Sequence, residues 1–142
     1  PSEILAAILA AQLEAREQIQ AKRQLVWDTY AVQLNAWAED NGVRLPRVPA
    51  HCQHPAHLFY LLLPSLDRRQ ALIAHLKSRG ILSAFHYLPL NLSDMGVRFG
   101  GQPGQCPVTE DVADRLLRLP FYNSLTADDL AEVVEAVTSF EV

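Results

Sequence analysis

Lysine is nearly missing from this 142-residue sequence, which contains only Lys22 and Lys77. With arginine included there are 12 basic residues against 16 acidic ones, so the formal net charge is −4. Binding to nucleic acid needs basic side chains clustered on one surface, whereas the arginines here are scattered along the chain. The composition therefore excludes a nucleic-acid partner and leaves only single arginines available for an isolated phosphate group.

Cysteine is also scarce, because Cys52 and Cys106 are the only two. Two cysteines are too few for the disulfide framework of a small secreted protein. The sequence has neither a signal-peptide pattern nor an uninterrupted run of about 20 apolar residues, so we expect a cytoplasmic protein without a membrane partner. The first residue is Pro1 rather than Met, inside a helical pattern, which indicates a piece of a longer protein.

The N-terminal third of the chain has no glycine or proline between Ser2, a suitable N-cap, and Asn41-Gly42, a suitable stop. We predict one long helix with a break near residues 22–28 or an overhanging end, because a domain of this size cannot cover such a helix. Residues 4–11 are apolar on every face, which indicates either neighbours lost from this half or self-association, and lost neighbours are favoured. The second half predicts packing on the core through one apolar stripe, formed by Val26, Trp27, Tyr30, Leu34 and Trp37.

The middle of the chain predicts a strand, a helix and a second strand. Residues 57–63 form an apolar run bounded by prolines, typical of a strand that is central in its sheet or lies beneath helices. The second strand, at residues 81–87, follows directly on Gly80, a helix C-cap. The helix between the strands should be capped by Ser65 or Asp67, and its inward side chains should be Ala71, Leu72, Ala74 and Leu76.

The last third begins with a predicted surface loop at residues 94–107, which contain four glycines, two prolines and no periodicity. Thr109 is expected to cap the next helix, which ends in a short strand or edge at Leu119-Pro120. Thr126 and Asp129 form a capping-box pattern for the final helix. Together the elements predict the α/β (α+β) class, with a short mixed or antiparallel sheet of about three strands covered by helices.

Four potential metal ligands lie within seven residues, at His51, Cys52, His54 and His57. Zinc sites use such side chains, but they usually take a second ligand pair from a distant segment or a regular helix, and Pro55 breaks the backbone here. We therefore expect ordinary loop residues and no bound metal. The alternative that stays open is a stand-alone binding or interaction domain that holds a metal through these four side chains.

Two polar side chains, His86 and Tyr87, end the second predicted strand just before Pro89. Strand alternation sends them to opposite faces, so only one of them is expected in the core. From the residues alone, a buried and hydrogen-bonded His or Tyr is favoured over a ligand contact.

Three longer segments resemble those of a known protein family: Phe85-His86-Tyr87-Leu88-Pro89-Leu90, Cys106-Pro107-Val108-Thr109-Glu110 and Leu117-Arg118-Leu119-Pro120-Phe121-Tyr122. With the His51-Cys52-Gln53-His54 run and His57-Leu58-Phe59-Tyr60, they resemble the C-terminal small domain of the DegT/DnrJ/EryC1/StrS aminotransferases. These enzymes use pyridoxal phosphate (PLP) to aminate keto sugars on nucleotides. The resemblance extends in order over nearly the whole chain.

The resemblance implies the small domain of a fold type I PLP enzyme. Residues 1–42 would be a long interdomain helix and residues 43–142 the small C-terminal α/β domain, with the large PLP-binding domain absent from the chain. That large domain would supply the Schiff-base lysine and the phosphate cup. No catalytic or cofactor-binding residue is therefore expected here, and the chain alone should be inactive.

The resemblance also implies the reaction of the parent enzyme, a homodimer. Glutamate would supply the amino group, and the acceptor would be the 4-keto carbon of dTDP-4-keto-6-deoxyglucose, although the residues alone leave open which sugar is used and whether carbon 3 or carbon 4 is aminated. The product would be dTDP-4-amino-4,6-dideoxygalactose, used for cell-surface polysaccharide of the lipopolysaccharide or enterobacterial common antigen type.

By the same resemblance, His86, Tyr87 and Asn91 are the expected substrate-binding residues, because the family closes its site over the sugar nucleotide with this strand end and the following turn. Family members often carry histidine at the position of Asn91, so this chain departs from the pattern there. An asparagine stays neutral, and any substrate contact it makes is expected to be a neutral hydrogen bond.

Overall fold

The computed structural model describes residues 2–142 and begins with three consecutive helices, α1 (Glu3–Glu14), α2 (Arg16–Gln33) and α3 (Asn35–Asp40). Ser2 caps the first, since its Oγ accepts a hydrogen bond from the Leu5 N–H at 3.3 Å. Helical hydrogen bonding continues past both interruptions, from Ile19 N–H to Ala15 O at 3.0 Å and from Ala38 N–H to Leu34 O at 2.9 Å. The three helices therefore follow one another almost as a single rod.

The predicted break at residues 22–28 is wrong, because the interruptions lie at Ala15 and Leu34. Residues 22–28 stay helical while the stripe that includes Val26 packs on the core. The alternative, an overhanging end, is confirmed: α1 buries no residue, and Ile4 is 74% exposed. Gly42, with φ of +64°, ends the rod in a conformation that favours glycine.

The remaining elements in chain order are β1 (Tyr60–Leu62), α4 (Leu66–Ser78), β2 (Ala84–Phe85), α5 (Asp94–Arg98), α6 (Pro107–Arg115), β3 (Leu116–Arg118) and α7 (Ala127–Thr138). The strands form one sheet in the order β1-β3-β2, and both pairings are antiparallel. A helix-rich chain with a small three-stranded antiparallel sheet confirms the predicted α/β (α+β) class.

The positions of the strands in the sheet differ from the prediction. β1 lies at an edge rather than in the centre, although it is covered by helices as expected. Its outer side is occupied by Arg44, whose N–H and C=O pair with those of Leu62 at 3.0 Å each. The central strand is β3, which precedes the predicted Leu119-Pro120 strand or edge, because Pro120 has no N–H with which to continue the ladder.

Several helix predictions need correction as well. Ala71 and Ala74 are exposed, whereas Arg69 is buried in line with Leu72 and Leu76. Residues 94–107 are not all loop, because Ser93 caps α5 through its Oγ. Helix α6 starts at Pro107, two residues before the predicted cap Thr109, since proline fits the first helical turn. Ser65, Gly80 and the Thr126–Asp129 capping box act as predicted.

One core joins the N-terminal helices to the rest of the chain. Tyr30 of α2 is fully buried, and its hydroxyl donates to Pro120 O at 3.0 Å. Trp37 Nε1 donates to Phe140 O at 2.8 Å, and Asn41 Oδ1 accepts from Val142 N–H at 3.1 Å. The fully buried large side chains of the core are Tyr30, Leu34, Phe59, Leu61, Leu63, Leu72, Leu76, Leu117 and Val137. The division of the chain into a long interdomain helix, residues 1–42, and a small C-terminal domain, residues 43–142, stays a prediction.

The two faces of the sheet have different surroundings. Leu117 of β3 is in register with Leu61 and Phe85, and this face packs against the helices in the core. Arg118 is in register with Tyr60 and Ala84, so these three side chains share the opposite face. All three are only half-buried. We call this second surface the outer face.

Replacing Leu117 with Ala should lower the free energy of unfolding by about 2–5 kcal/mol, because a fully buried side chain of the central strand is lost and leaves a cavity. Urea denaturation followed by circular dichroism measures the loss. Leu116→Ala is the matched control, since Leu116 is the preceding residue on the half-buried outer face. Equal losses for the two variants would contradict the assignment of the faces.

The apolar surface of α1 should make the isolated chain self-associate reversibly. Leaving such side chains in water forfeits about 1.5–3 kcal/mol each. Light scattering over a concentration series measures the association, and Leu5→Gln combined with Leu9→Gln should abolish it. A chain that stays monomeric throughout, with α1 still protected from hydrogen exchange, would contradict this expectation.

Candidate functional site

The candidate site begins where β2 ends, with His86 and Tyr87 side by side. Their ring centroids are 4.6 Å apart at an interplanar angle of 66°. The prediction that they point to opposite faces is therefore wrong, because regular strand geometry stops at Phe85. His86 is half-buried, whereas Tyr87 is 69% exposed and presents its ring to the surroundings.

Arg118 reaches this strand end from the neighbouring strand. Its guanidinium donates to Phe85 O at 3.3 Å and lies 5.7 Å from the centroid of the Tyr87 ring. Burial lowers the pKa of His86, and the positive charges of Arg118 and His57 lower it further. The unbound site therefore favours a neutral His86 beside a permanent positive charge.

Asn91 lies in a short 3₁₀ turn, Leu90–Leu92, and its side-chain amide is directed into the chain. Its Nδ2 donates to Gln102 O at 3.2 Å and to Glu110 Oε1 at 2.8 Å. Glu110 also accepts hydrogen bonds from the backbone N–H groups of Gly104 at 2.8 Å and Cys106 at 3.1 Å. Asn91 and Glu110 together tie both ends of residues 91–106 into one closed loop.

Two glycines let this loop fold tightly on itself. A Cβ at Gly96 would lie 2.0 Å from Leu90 O, and one at Gly101 would lie 2.1 Å from Asn91 O. Both obstacles are backbone atoms, so no side chain of any size is tolerated without moving the turn. The loop beside the strand end is thus compact and internally hydrogen-bonded.

The histidine and cysteine run of residues 51–57 does not gather around a common point. His54 Nδ1 accepts a local hydrogen bond from Ala56 N–H at 3.2 Å, and its ring packs 4.5 Å from that of Trp27. Cys52 is exposed. Across residues 2–142, no group of three or more His, Cys, Asp or Glu side chains is arranged to hold a metal ion. Nothing in the fold therefore supports the metal-binding alternative.

Arg118 and Glu110 were not predicted as parts of the candidate site. The orientation of Arg118 was predictable, because an arginine between Leu117 and Leu119 in a strand must face away from the core. The hydrogen bonds of Glu110 were not predictable, since the backbone groups it binds belong to an irregular loop.

The sequence model of the DegT/DnrJ/EryC1/StrS aminotransferase family matches residues 2–138. The chain belongs to this family. The earlier identification of the family is confirmed, and so is the expectation that the fold is that of an aminotransferase segment. Across residues 2–142, moreover, no helix combines the length and the apolar character that crossing a membrane requires.

Characterised members of the family align over most of the chain. A dTDP-3-amino-3,4,6-trideoxy-alpha-D-glucose transaminase from Micromonospora megalomicea subsp. nigra is 30% identical over 137 residues, which cover 95% of this chain and 36% of the relative. The UDP-N-acetyl-3-dehydro-alpha-D-glucosamine 3-aminotransferase of Acidithiobacillus ferrooxidans is 32% identical over 97 residues, covering 67% and 25%. The crystal structure of S. venezuelae DesV in complex with a ketimine intermediate superimposes with a TM-score of 0.85 at 27% identity, covering 94% and 35%.

The chain thus spans about a third of the length of these members of the DegT/DnrJ/EryC1/StrS family. Its own residues do not fit the PLP that the family implies. Lys22 and Lys77, the only lysines, are both exposed on helices, α2 and α4. A Schiff-base lysine must instead lie in a site that also holds the phosphate and the pyridine ring of the cofactor, so neither lysine fits that role.

The hydrogen bonds of Glu110 predict that the loop of residues 91–106 becomes less stable as the pH falls. They hold the pKa of Glu110 below its ordinary value, through Gly104 first, then Asn91 and Cys106. A lowered pKa in the folded state stabilises the loop above the ordinary carboxyl pKa of about 4.3, and the effect disappears as the pH falls through the folded-state value. Hydrogen exchange of the Gly104 and Cys106 amides at pH 7 should therefore be faster in Glu110→Gln.

The matched control is Asp114→Asn, which changes an exposed carboxylate on the same helix. It should leave the exchange of both amides unchanged. Equal exchange in the parent chain and Glu110→Gln at pH 7 would show that Glu110 does not order the loop.

Proposed function

We propose that this chain is the substrate-closing small domain of a PLP-dependent aminotransferase that acts on a nucleotide-linked keto sugar. The family match over residues 2–138 carries the proposal. The arrangement of the strand end adds to it, because an exposed aromatic ring and a half-buried histidine pack together directly after β2, and a compact loop follows them in the chain. In the proposed full-length enzyme, a cytoplasmic homodimer, PLP is bound outside this segment and glutamate is the amino donor.

Each residue of the surface has a distinct proposed role. Tyr87 presents a flat ring for packing against a sugar or a base. His86, neutral in the unbound site, offers a ring nitrogen for a hydrogen bond to the substrate. Asn91 holds the loop through its Nδ2, which donates to Gln102 and Glu110, so a neutral hydrogen bond to the substrate would be accepted by its Oδ1. The closed loop keeps water away from the substrate.

For the sugar, we propose dTDP-4-keto-6-deoxyglucose, aminated at carbon 4 to give dTDP-4-amino-4,6-dideoxygalactose for a cell-surface polysaccharide of the enterobacterial common antigen type. The sequence resemblance of residues 51–54, 57–60 and 85–87 supports this assignment. The competing acceptor is a 3-keto sugar. It is favoured by the relatives, since both the Micromonospora and the Acidithiobacillus enzymes are named for an amino group at carbon 3.

Assays of the full-length protein test the proposal. With glutamate as donor, the protein should convert a dTDP-linked or UDP-linked keto sugar into the amino sugar, and NMR of the product shows whether carbon 3 or carbon 4 is aminated. Tyr87→Ala should raise the KM for the nucleotide sugar about two- to tenfold, the usual value of one aromatic contact, without changing the KM for glutamate. Failure to aminate either class of keto sugar would reject the proposed function.

A control addresses the two lysines. The double variant Lys22→Ala and Lys77→Ala should retain full activity and PLP absorbance, because both side chains are exposed and outside the proposed site. The 142-residue chain alone, treated with PLP and borohydride, should show no specific labelling of either lysine by mass spectrometry. Loss of PLP absorbance in the double variant would place the cofactor on this segment.

A further inference from the structure

We propose that the outer face of the sheet carries a binding site for an oxyanion, built from Arg118 and His86. The inference deepens the proposed function and rests on it for the identity of the anion, which is the diphosphate of the nucleotide sugar or a carboxylate of the amino donor. The site itself follows from the contacts and burial of these two residues.

Most N–H donors of Arg118 have no hydrogen-bond acceptor in the described part of the protein. Its guanidinium donates one hydrogen bond, to Phe85 O at 3.3 Å, although arginine has five N–H donors. Its Nε is buried and has no hydrogen-bond partner. Within residues 2–142 the ion pairs are Arg16–Glu17 and Arg115–Asp111, so no carboxylate lies within 4 Å of Arg118. An arginine that is partly exposed, has free donors and makes no ion pair is able to bind an anion without first breaking a salt bridge.

Arg69 has similar contacts on the other side of the sheet, and its Nε is likewise buried without a hydrogen-bond partner, so the two arginines differ in position and exposure rather than in the number of their hydrogen bonds. Arg69 is buried on the core side, where its Nη1 donates to Ala113 O at 2.7 Å and its guanidinium lies 5.7 Å from the Phe85 ring centroid. Phe85 is in register with Leu117 on the core face, opposite Arg118. The hydrogen bond of Arg69 therefore links α4 to α6, whereas Arg118 lies on the outer face of the sheet next to Tyr87.

His86 completes the site from the adjacent strand end. Its Nδ1 is buried and has no hydrogen-bond partner. The Arg118 guanidinium lies next to it, since it donates to the carbonyl oxygen of the preceding residue, Phe85, at 3.3 Å. Burial is the larger cause that lowers the pKa of His86, and the positive charge of Arg118 lowers it further. A bound anion would offset that positive charge and raise the pKa of His86.

The geometry suits a phosphate or carboxylate group in particular. A guanidinium binds such groups through two parallel N–H bonds, which a single backbone carbonyl cannot engage. The Tyr87 ring, 5.7 Å from the Arg118 guanidinium, limits the directions in which the guanidinium can point. The anion would thus be held next to the exposed ring proposed to pack against the substrate.

Titration of the 142-residue chain with inorganic pyrophosphate tests the site without requiring any aminotransferase activity. Calorimetry should show saturable binding, and NMR of the histidine Cε1–H signals should show that pyrophosphate raises the pKa of His86. Arg118→Gln should weaken binding about tenfold to a hundredfold, the usual effect of losing charged hydrogen bonds. Arg118→Lys should also weaken it, because the charge remains but the two-pronged donor is lost.

Arg98→Gln is the control, since Arg98 is exposed in the last turn of α5 and lies outside the site. It should bind pyrophosphate like the parent chain. Absence of saturable binding, or equal weakening in Arg118→Gln and Arg98→Gln, would overturn the inference. Unchanged methyl NMR spectra of the Arg118 variants would exclude misfolding as the cause of weaker binding.

Two further experiments identify the anion. Titration with glutamate in place of pyrophosphate shows whether a carboxylate produces the same His86 response. In the full-length enzyme, Arg118→Gln should raise the KM for the nucleotide sugar alone if the diphosphate is bound, or that for glutamate alone if a carboxylate is bound. Either result supports the site, and unchanged values for both substrates would overturn it. Pyrophosphate binding by a full-length protein that aminates no keto sugar would reject the proposed function and leave the site intact.

Discussion

The strict alternation of side chains along β3 is the constraint on which the rest of the structure depends. Leu117 must enter the core for the sheet to pack on its helices, and this fixes Arg118 on the outer face one residue later. The same strand pairs with both β1 and β2, so its register also decides where His86 and Tyr87 emerge. Packing of the core and placement of a charged group at the site therefore depend on the same three residues.

Much of the fold could be predicted because its signals are local. The caps at Ser2, Ser65 and Thr126 and the stripe through Tyr30 depend on neighbouring residues or on helical periodicity. The order of the strands could not be predicted, because short apolar runs do not reveal which of them will be central. β3 also follows α6 without any intervening turn residue, so no glycine or proline marks its start.

The candidate site was partly visible in the sequence. His86 and Tyr87 were found through the family resemblance, and alternation placed them on opposite faces only because the strand was expected to reach residue 87. Asn91 was expected to contact substrate, whereas its hydrogen bonds reveal a link to Glu110 across 19 residues. Such a link depends on the close approach of Gly96 and Gly101 to the backbone, which has no periodic signature.

The hydrogen bonds from Trp37 to Phe140 and from Val142 to Asn41 join parts of the chain that are made far apart in time on a ribosome. The stripe of α2 and α3 contacts Phe59 early, but its hydrogen bonds to Pro120 and Phe140 come later, and Phe140 follows Trp37 by 103 residues. Until Phe140 has been translated, Trp37 lacks the carbonyl that accepts its indole hydrogen bond and stays open to chaperones. The order of synthesis thus makes the packing of α3 one of the last steps of folding.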